Sequence, residues 1–431
     1  STAFGTLGSV VQIHSSRPPL IQRSSRNDWS FFFAMTMIRE TGTAADPSKA
    51  NVKVMIALWL VHFTGDLYAS FVSPLLPVFA DVFALSMTQV GLLAGVNRFL
   101  MFIVQPIAGY LADHYRTRLF ILGGPILSLI FIPLVGVAPS FLVLMLFVSI
   151  GSIGQSLFHP PVAGMISTYA GRHFSFCMSI FNAGGTLAFG VGPIIITTLV
   201  HAYGIRGTLL SMVIGLPLMV VLFKLVPRPE GEGLAGHGFL GSLREALGGA
   251  WRSVAMLWVV MVLRAFVSQV FITFFPILYS REGYSLVSIG VITALFTLAG
   301  AFSGLIAGSL ADRTRYRPIF ILSHFLTAPT LLLSLYLRDF WVFPRAFLCG
   351  VFSMAPLPLG VVLGQQLAPK GRSMVSSLMM GLALGIGGVM SPIIGKLADI
   401  YSIHTVLALL PAVPLLTMVL CLRLPEKNQA A

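Results

Sequence analysis

The sequence predicts an all-α integral membrane protein with twelve transmembrane helices in two related six-helix bundles. Hydrophobic residues make up 56% of the chain and charged residues only 10%, unlike an ordinary soluble domain. The apolar residues form repeated stretches of about 20 residues, the length at which a helix crosses about 30 Å of hydrocarbon. No segment shows the alternation typical of a membrane β-barrel, so helices are the spanning structure that satisfies the backbone.

Charged or Gly- and Pro-rich segments separate the twelve predicted spans. Lys and Arg are concentrated in the loops after even-numbered spans, and both termini are also basic. Because basic loops are retained in the cytoplasm during insertion, both termini are predicted to be cytoplasmic. This topology accounts for the net charge of +13, since the basic residues do not gather into a nucleic-acid surface. The predicted spans are 53–79, 88–111, 118–137, 141–168, 174–200, 208–226, 254–280, 286–311, 318–336, 342–367, 374–398 and 404–422.

The chain divides into five predicted parts. Residues 1–50 form a leader or cytoplasmic tail that is expected to be disordered, and residues 51–226 form the N-terminal bundle. The glycine-rich segment 227–253 is the predicted cytoplasmic linker, and residues 254–422 form the C-terminal bundle. A cytoplasmic tail at 423–431 follows.

An internal repeat relates the two predicted bundles. Matching residues are separated by a constant 199 positions, which composition alone does not produce. Parallel repeats of this kind are a transporter design in which the substrate site lies near the midplane, between the two halves. The matching pairs are Pro77 with Pro276, Ser86 with Ser285, Gly91 with Gly290, Gly109 with Gly308, Asp113 with Asp312, and Pro193 with Pro392.

The loop motif at 109–118, Gly-Tyr-Leu-Ala-Asp-His-Tyr-Arg-Thr-Arg, returns at 308–317 as Gly-Ser-Leu-Ala-Asp-Arg-Thr-Arg-Tyr-Arg. It resembles the cytoplasmic signature loop of the major facilitator superfamily. The glycines are expected to let helices approach closely, and the aspartates to face helix N-termini near Ser373 and Ser175. We therefore predict a gate formed by Gly109, Asp113, Arg116, Gly308, Asp312 and Arg315.

A more specific resemblance covers most of residues 55–425. It is to the fosmidomycin-resistance branch of that superfamily, which implies a proton-driven exporter of the bacterial inner membrane. Pro161 and Gln366 stand where this branch has glutamates, so two acids that would help to carry protons are absent. The resemblance depends on His62 to Asp66, Gln105 to Gly109, Phe158 to Pro160, Gly171 to His173, Ser179 to Phe181, Gly184-Gly185, Gly190 to Pro193, Gln365, Pro369, Met374 to Ser376, Gly387-Gly388 and Ala398-Asp399.

One acid lies in the core of a predicted span. Asp66 is 13 residues from Lys53 and from Phe79, or about 20 Å from either end of the helix. His62 lies one turn earlier on the same face. Charges at membrane depth usually line a cavity, and the protonation of a buried carboxyl responds to its surroundings. Asp66, with His62 as modulator, is therefore the predicted proton site. The alternative is a permanent internal ion pair with an arginine.

Arginines from opposite halves are the predicted anion contacts. Arg98 in span 2 and Arg264 in span 7 lie near mid-depth, and a guanidinium can hold a phosphonate or carboxylate with two hydrogen bonds. His159 precedes Pro160 and Pro161, which are expected to break span 4 and open it to a cavity. Further predicted substrate contacts are Gln155, Asn182 and Gln105, whereas Arg345 is expected to extend to the membrane surface and His324 to be structural.

These patterns predict a secondary active transporter that exports small anionic organic compounds, such as phosphonates, in exchange for protons. Uptake of a carboxylate or phosphorylated metabolite together with protons remains an alternative, as does a non-transporting receptor or scaffold on the same fold. The expected partners are substrate, protons and the lipid bilayer, and a monomer would contain the whole pathway. An enzyme is not predicted, because the sequence has no Walker loop, nucleophile elbow or metal-ligand cluster. No cofactor, metal or catalytic residue is expected.

Overall fold

A computed structural model of the chain describes residues 50–425, apart from 115–117, 171–173, 229–246, 338, 369–374 and 376–377. Twelve helical segments among these residues are long and apolar enough to cross a membrane, which confirms the predicted count. The first six comprise Val52–Ala69 with Val72–Val82, Met87–His114, Leu119–Phe131 with the 3₁₀ turn Pro133–Val137, Phe141–Tyr169, Phe174–Tyr203, and the 3₁₀ turn Ile205–Ser211 with Met212–Leu225. The last six comprise Trp251–Arg281, Leu286–Arg313, Tyr316–Tyr336, Val342–Met354 with Pro356–Leu367, the π-helix Leu378–Leu382 with Ala383–Val389 and Ser391–Tyr401, and Ile403–Leu409 with Ala412–Cys421.

Prolines shape spans 1 and 4 differently. Span 1 is interrupted at Ser70 and Phe71, where Pro74 cannot donate to the Ser70 carbonyl. Span 4 contains Pro160 and Pro161 but is one continuous helix, Phe141–Tyr169. The prediction that these prolines break span 4 is therefore wrong. The two missing backbone donors are adjacent, and the flanking turns, packed between neighbouring spans, hold the helix together.

The two halves are clamped at the end of the bundle that lies opposite the start of span 1, here called the distal end. Gly91 of span 2 packs against span 11, where an added Cβ would lie 2.5 Å from the Ser391 carbonyl oxygen and 2.8 Å from Pro392. Gly290 of span 8 packs in the same way against span 5, where an added Cβ would lie 2.8 Å from the Pro193 carbonyl oxygen. Both contacts join a repeated glycine of one half to a repeated proline of the other.

Asp399, near the end of span 11, adds a polar contact to this distal clamp. Its carboxylate accepts hydrogen bonds from the backbone N–H groups of Met87 (2.7 Å) and Thr88 (2.9 Å), and from the Thr88 hydroxyl. These amides begin span 2 and have no partner within their own helix, so the carboxylate caps span 2 from the opposite half. The distal clamp thus combines close glycine packing with a charged cap.

The opposite, or terminal, end holds the predicted gate. The side chains of Asp113, Arg116, Ser175, Asp312 and Ser373, and the surroundings of Gly109, lie outside the part of the chain that the structure describes. At Gly308 an added Cβ would have no described atom within 4 Å. Residues 369–374 and 376–377 lie outside the described part of the chain, so close helix packing at Gly308 stays a prediction. Arg315 is exposed immediately before span 9.

Candidate functional site

A polar cavity lies between the two halves, with about 40 Å³ of space open to the centres of water-sized groups. Spans 1, 2, 4, 5, 7 and 8 contribute its walls. Much of the wall consists of repeat-related positions, 199 residues apart, so the cavity lies on the pseudo-symmetry axis, as expected for a parallel-repeat transporter. The repeat pairs in the wall are Ser70 with Gln269, Ser73 with Ile272, Ala94 with Thr293, and Arg98 with Thr297.

Behind the cavity wall, Asp66 is buried between two histidines. Its Oδ2 lies 3.1 Å from Nε2 of His62, and its Oδ1 lies 3.2 Å from Nε2 of His159. His62 is the residue one turn earlier on span 1, while His159 reaches across from span 4. We call His62, Asp66 and His159 the triad. All three residues are candidates from the sequence, but no sequence pattern places His159 beside Asp66.

The hydrogen bonds of the histidines determine how many protons the triad holds. Nδ1 of His62 faces the Phe181 carbonyl oxygen at 2.9 Å, and Nδ1 of His159 faces the Gln155 carbonyl oxygen at 2.7 Å. A carbonyl oxygen only accepts, so both Nδ1 atoms must donate a proton. Each Nε2 then needs another proton between itself and Asp66, since a lone pair facing a carboxylate would be repulsive. The observed geometry therefore fits two bridging protons and a net charge of +1.

The triad atoms lie within 4.8 Å of one another. This spacing would also suit a metal ion, but the hydrogen bonds among the three groups satisfy the same atoms directly. Close packing maintains the arrangement: an added Cβ at Gly185 would lie 2.6 Å from Oδ2 of Asp66 and 2.7 Å from Nε2 of His62. The His62 ring also stacks on Phe181, with centroids 4.0 Å apart. A glycine on span 5 is thus required for span 5 to cover the triad.

Gln155 connects the triad to the cavity. Its side-chain Nε2 donates to Oδ1 of Asp66 at 3.3 Å, and Gln155 also lines the cavity. Its Oε1 lies 3.5 Å from Nδ2 of Asn97, a second cavity residue, whose shorter hydrogen bond is to Ser152 at 2.8 Å. Gln155 therefore forms a direct hydrogen-bonded connection between the carboxylate of Asp66 and the cavity wall.

Arg98 is the positive charge of the cavity wall. Its Nε donates to Oε1 of Gln269 at 2.8 Å, and Gln269 donates onward to Thr273 at 3.0 Å. This bond links span 2 of one half to span 7 of the other. The guanidinium also interacts electrostatically with Asp66. The alternative of a direct ion pair is not what the structure shows, because Asp66 is bonded by the histidines and Gln155.

The other predicted contacts differ in position. Arg264 does not line the central cavity but a smaller one within the C-terminal bundle. Asn182 is exposed on span 5 and lies on the helical stripe that continues to Phe189 and Pro193 in the cavity wall. Gln105, two turns beyond Arg98, extends the span 2 stripe towards the terminal end in the same way.

Arg345 is buried rather than extended to the membrane surface, so that expectation is wrong. Only 3% of the residue is exposed. Its guanidinium carbon lies 5.9 Å from the centroid of the Tyr279 ring, within the range of a cation–π contact. Its Nη1 donates to the Leu333 carbonyl oxygen at 2.8 Å. The ring and the carbonyl acceptor, both from neighbouring spans, hold the side chain inside the C-terminal bundle.

Two six-helix halves that repeat in parallel around a polar central cavity are the architecture of a membrane transporter. The sequence model of the Major Facilitator Superfamily matches residues 58–392, and the chain belongs to this superfamily. Its members are transporters rather than enzymes, and the twelve spans make the chain a multi-pass membrane protein.

Several known proteins are similar to this chain. The fosmidomycin resistance protein of Escherichia coli (strain K12) is 25% identical over 399 residues, which cover 90% of this chain and 97% of that protein. The quinolone resistance protein NorA of Staphylococcus aureus is 30% identical over 145 residues, or 32% of this chain and 37% of NorA.

Solved structures show the same fold. A bacterial homologue of the human lysosomal transporter Spinster, in an inward-facing and occupied conformation, matches with a TM-score of 0.73 and 16% identity, covering 88% of this chain and 96% of that one. The nucleoside transporter NupG matches with a TM-score of 0.71 and 13% identity, covering 86% of this chain and 98% of that one.

Proposed function

We propose that this protein exports small anionic organic compounds, such as phosphonates, in exchange for protons. The observation that carries the proposal is the position of Gln155, which lines the cavity and donates to Asp66. A proton site and a substrate site joined by one side chain can affect each other's occupancy. Coupled transport requires such a dependence, because a proton gradient can drive a solute only if the two bindings are linked.

The triad is the proposed proton site. With Nε2 of His62 and of His159 3.1 and 3.2 Å from the Asp66 oxygens, two protons are proposed to bridge the three side chains. Loss of these protons leaves lone pairs facing a carboxylate, so the histidine contacts must lengthen. Because Gln155 is hydrogen-bonded to Asp66, its side chain can move with the carboxylate, and the wall of the cavity then changes shape.

The anionic group of the substrate is proposed to bind at Arg98. Ser70, Asn97 and Thr297 surround it with hydroxyl and amide groups that can donate to phosphonate or carboxylate oxygens. Arg98 already holds Gln269 of the opposite half, so an anion that draws the guanidinium away would also loosen a contact between the halves. His159, Asn182 and Gln105 are proposed to serve the pathway between this site and the terminal end.

We propose that, during alternating access, the distal clamp opens while the gate at the terminal end closes. With both termini in the cytoplasm, the distal end would be periplasmic, and the clamped conformation would face the cytoplasm. Closure of the gate would involve the two signature loops, with Gly109, Asp113, Arg116, Gly308, Asp312 and Arg315. Two of the similar proteins are named for resistance to fosmidomycin and to quinolones, which favours export as the net direction.

A second candidate, uptake of an organic anion together with protons, is favoured by the charge of the triad. A protonated triad carries +1 and attracts an anion into the cavity, whereas a deprotonated triad repels it. Such mutual attraction is the charge relationship of a symporter. The two candidates use the same residues and differ in the direction of proton movement when substrate moves.

The test is transport in reconstituted vesicles with an imposed pH gradient, using fosmidomycin as the phosphonate and a pH-sensitive dye inside. Exchange predicts that protons move opposite to fosmidomycin, and cotransport predicts that they move with it. No fosmidomycin flux under either gradient, with a carboxylate and a cationic dye also inactive, would favour the non-transporting receptor or scaffold instead. Asp81→Asn, which alters an exposed acid at the end of the same span as Asp66, is the matched control and should behave as wild type.

A further inference from the structure

A second cavity lies wholly within the C-terminal bundle, between spans 7, 9, 10 and 12. It is small, with about 10 Å³ of space open to the centre of a water-sized group, which suits a single small guest. Its polar lining residues are all at least nine-tenths buried, and Leu263, Val267 and Pro414 complete the wall. The polar lining residues are Arg264, His324, Thr327, Ser353 and Thr417.

Three of these residues have buried polar atoms without a hydrogen-bond partner. They are Nε of Arg264, Nε2 of His324 and Oγ of Ser353. A single buried orphan of this kind costs about 1–3 kcal/mol, and native proteins contain few of them. Three from three different spans line one cavity. Two of the three atoms, Nε of Arg264 and Oγ of Ser353, are donors, and the described protein groups supply no acceptor for them.

The charge of the cavity shows what that partner must be. A guanidinium stays protonated in a protein, and Arg264 is only 4% exposed. Within the described part of the chain the carboxylate ion pairs belong to Asp66, on the opposite half, and none reaches Arg264. The ionisable groups that interact with Arg264 are Arg98 and His324, and neither carries a negative charge. A buried cation without a counter-charge is strongly unfavourable.

The available donors limit the size of the partner. The hydroxyls of Thr327 and Thr417 already donate to the carbonyls of Ser323 (2.7 Å) and Val413 (2.8 Å). Nδ1 of His324 is engaged by the Phe320 carbonyl at 2.7 Å. The guanidinium and the Ser353 hydroxyl are the donors that remain. One positive charge and few free donors do not suit a phosphate, which needs several donors and two charges.

From these observations we infer that the Arg264 cavity binds a small monovalent inorganic anion, with chloride as the representative. The anion accepts from the guanidinium and from Ser353 Oγ, and neutralises the buried charge. Binding here joins spans 7 and 10, so the C-terminal bundle becomes more stable when the anion is present. Arg264 is thereby assigned to a site distinct from the central cavity.

The experiment measures thermal unfolding of the purified full-length protein while chloride replaces gluconate at constant pH and ionic strength. A saturable rise in Tm with chloride is expected, and bromide should act similarly. Arg264→Gln should abolish the rise. Arg252→Gln, which removes an exposed arginine at the start of the same helix, should preserve it.

Ser353→Ala keeps the experiment decisive if Arg264→Gln does not fold. Losing one hydrogen bond to a charged ligand should raise the chloride concentration for half-maximal stabilisation about tenfold. Equal Tm values in chloride and gluconate would overturn the inference, since water alone would then fill the cavity. A chloride effect that survives Arg264→Gln would overturn it as well. Displacement of chloride by fosmidomycin would overturn the assignment to an inorganic anion, because the cavity would then be a substrate site.

Discussion

The amide nitrogen of Gln155 lies 3.3 Å from Oδ1 of Asp66, while the same side chain forms part of the central cavity wall. Asp66 itself is buried and does not line that cavity. Substrate therefore does not need to touch the proton site to sense it. The arrangement makes Gln155 the residue whose loss should separate proton binding from substrate binding.

Gln155→Leu keeps the approximate volume of the side chain but removes its hydrogen bond. We expect fosmidomycin accumulation driven by a pH gradient to fall about tenfold, the loss expected for one hydrogen bond to a charged group. Exchange of labelled for unlabelled fosmidomycin without a gradient should persist, because the cavity remains. Equal loss of exchange and accumulation would show that Gln155 acts only in substrate binding.

Replacing one histidine should remove one bridging proton from the triad. The amide of His159→Gln can donate to Asp66 without taking up a proton, so the carboxylate stays bonded at a lower proton count. We expect the pH dependence of transport to become shallower, from a two-proton to a one-proton slope. Initial rates measured across a pH series give this slope. An unchanged slope would contradict the proton count derived from the Nδ1 contacts.

Arg98→Gln tests the anion site. It should raise the KM for fosmidomycin at least about tenfold, since a charge-assisted pair is lost. Arg423→Gln alters an exposed arginine beyond span 12 and should leave KM unchanged. A normal KM in Arg98→Gln would place the anion site elsewhere in the pathway.

The distal clamp can be tested with one methyl group. Gly290→Ala places a Cβ against the Pro193 carbonyl, whereas Gly304→Ala, on the same helix, places it 3.4 Å from Pro358, which is ordinary contact. Both changes have the same effect on helix propensity. We expect transport to fall about tenfold or more in Gly290→Ala only, since an overpacked helix contact typically costs a few kcal/mol.

Whether Gly290→Ala lowers transport by preventing closure of the distal clamp can be measured separately. A cysteine introduced at Thr297 should react faster with an impermeant maleimide from the distal side in Gly290→Ala, because the clamp cannot close. The native cysteines Cys177, Cys349 and Cys421 are buried. Equal labelling of the Gly290→Ala and Gly304→Ala proteins would mean that the glycine contact does not control closure.

The span positions could be predicted because membrane thickness and loop charge restrict them strongly. Span 7, for example, is predicted to begin at residue 254 and begins at Trp251. The repeat identifies Gly91, Gly290, Pro193 and Pro392 as equivalent positions. It cannot show that the glycine of one half contacts the proline of the other, because that contact depends on how the halves are closed.

The site was only partly predictable. Burial at mid-depth identifies Asp66, and the proline pair draws attention to His159, but their contact depends on the rotation of spans 1 and 4. One feature of the sequence indicates that Asp66 and His159 could meet, because both are titratable groups within spans of the same bundle. The predicted position of Arg264 in the central site was wrong because depth along a helix does not determine which face points to the cavity. Its face is set by packing against spans 9, 10 and 12.

The central claim is that the triad carries the protons that drive substrate movement, and proton flux in Asp66→Asn vesicles tests it most directly. Asparagine preserves the size of the side chain and cannot gain or lose a proton. We predict that fosmidomycin still exchanges across the membrane in Asp66→Asn. The pH-sensitive dye should record no accompanying proton movement, and a pH gradient should no longer drive accumulation of fosmidomycin. Proton movement equal to that of the wild type in Asp66→Asn would contradict the claim.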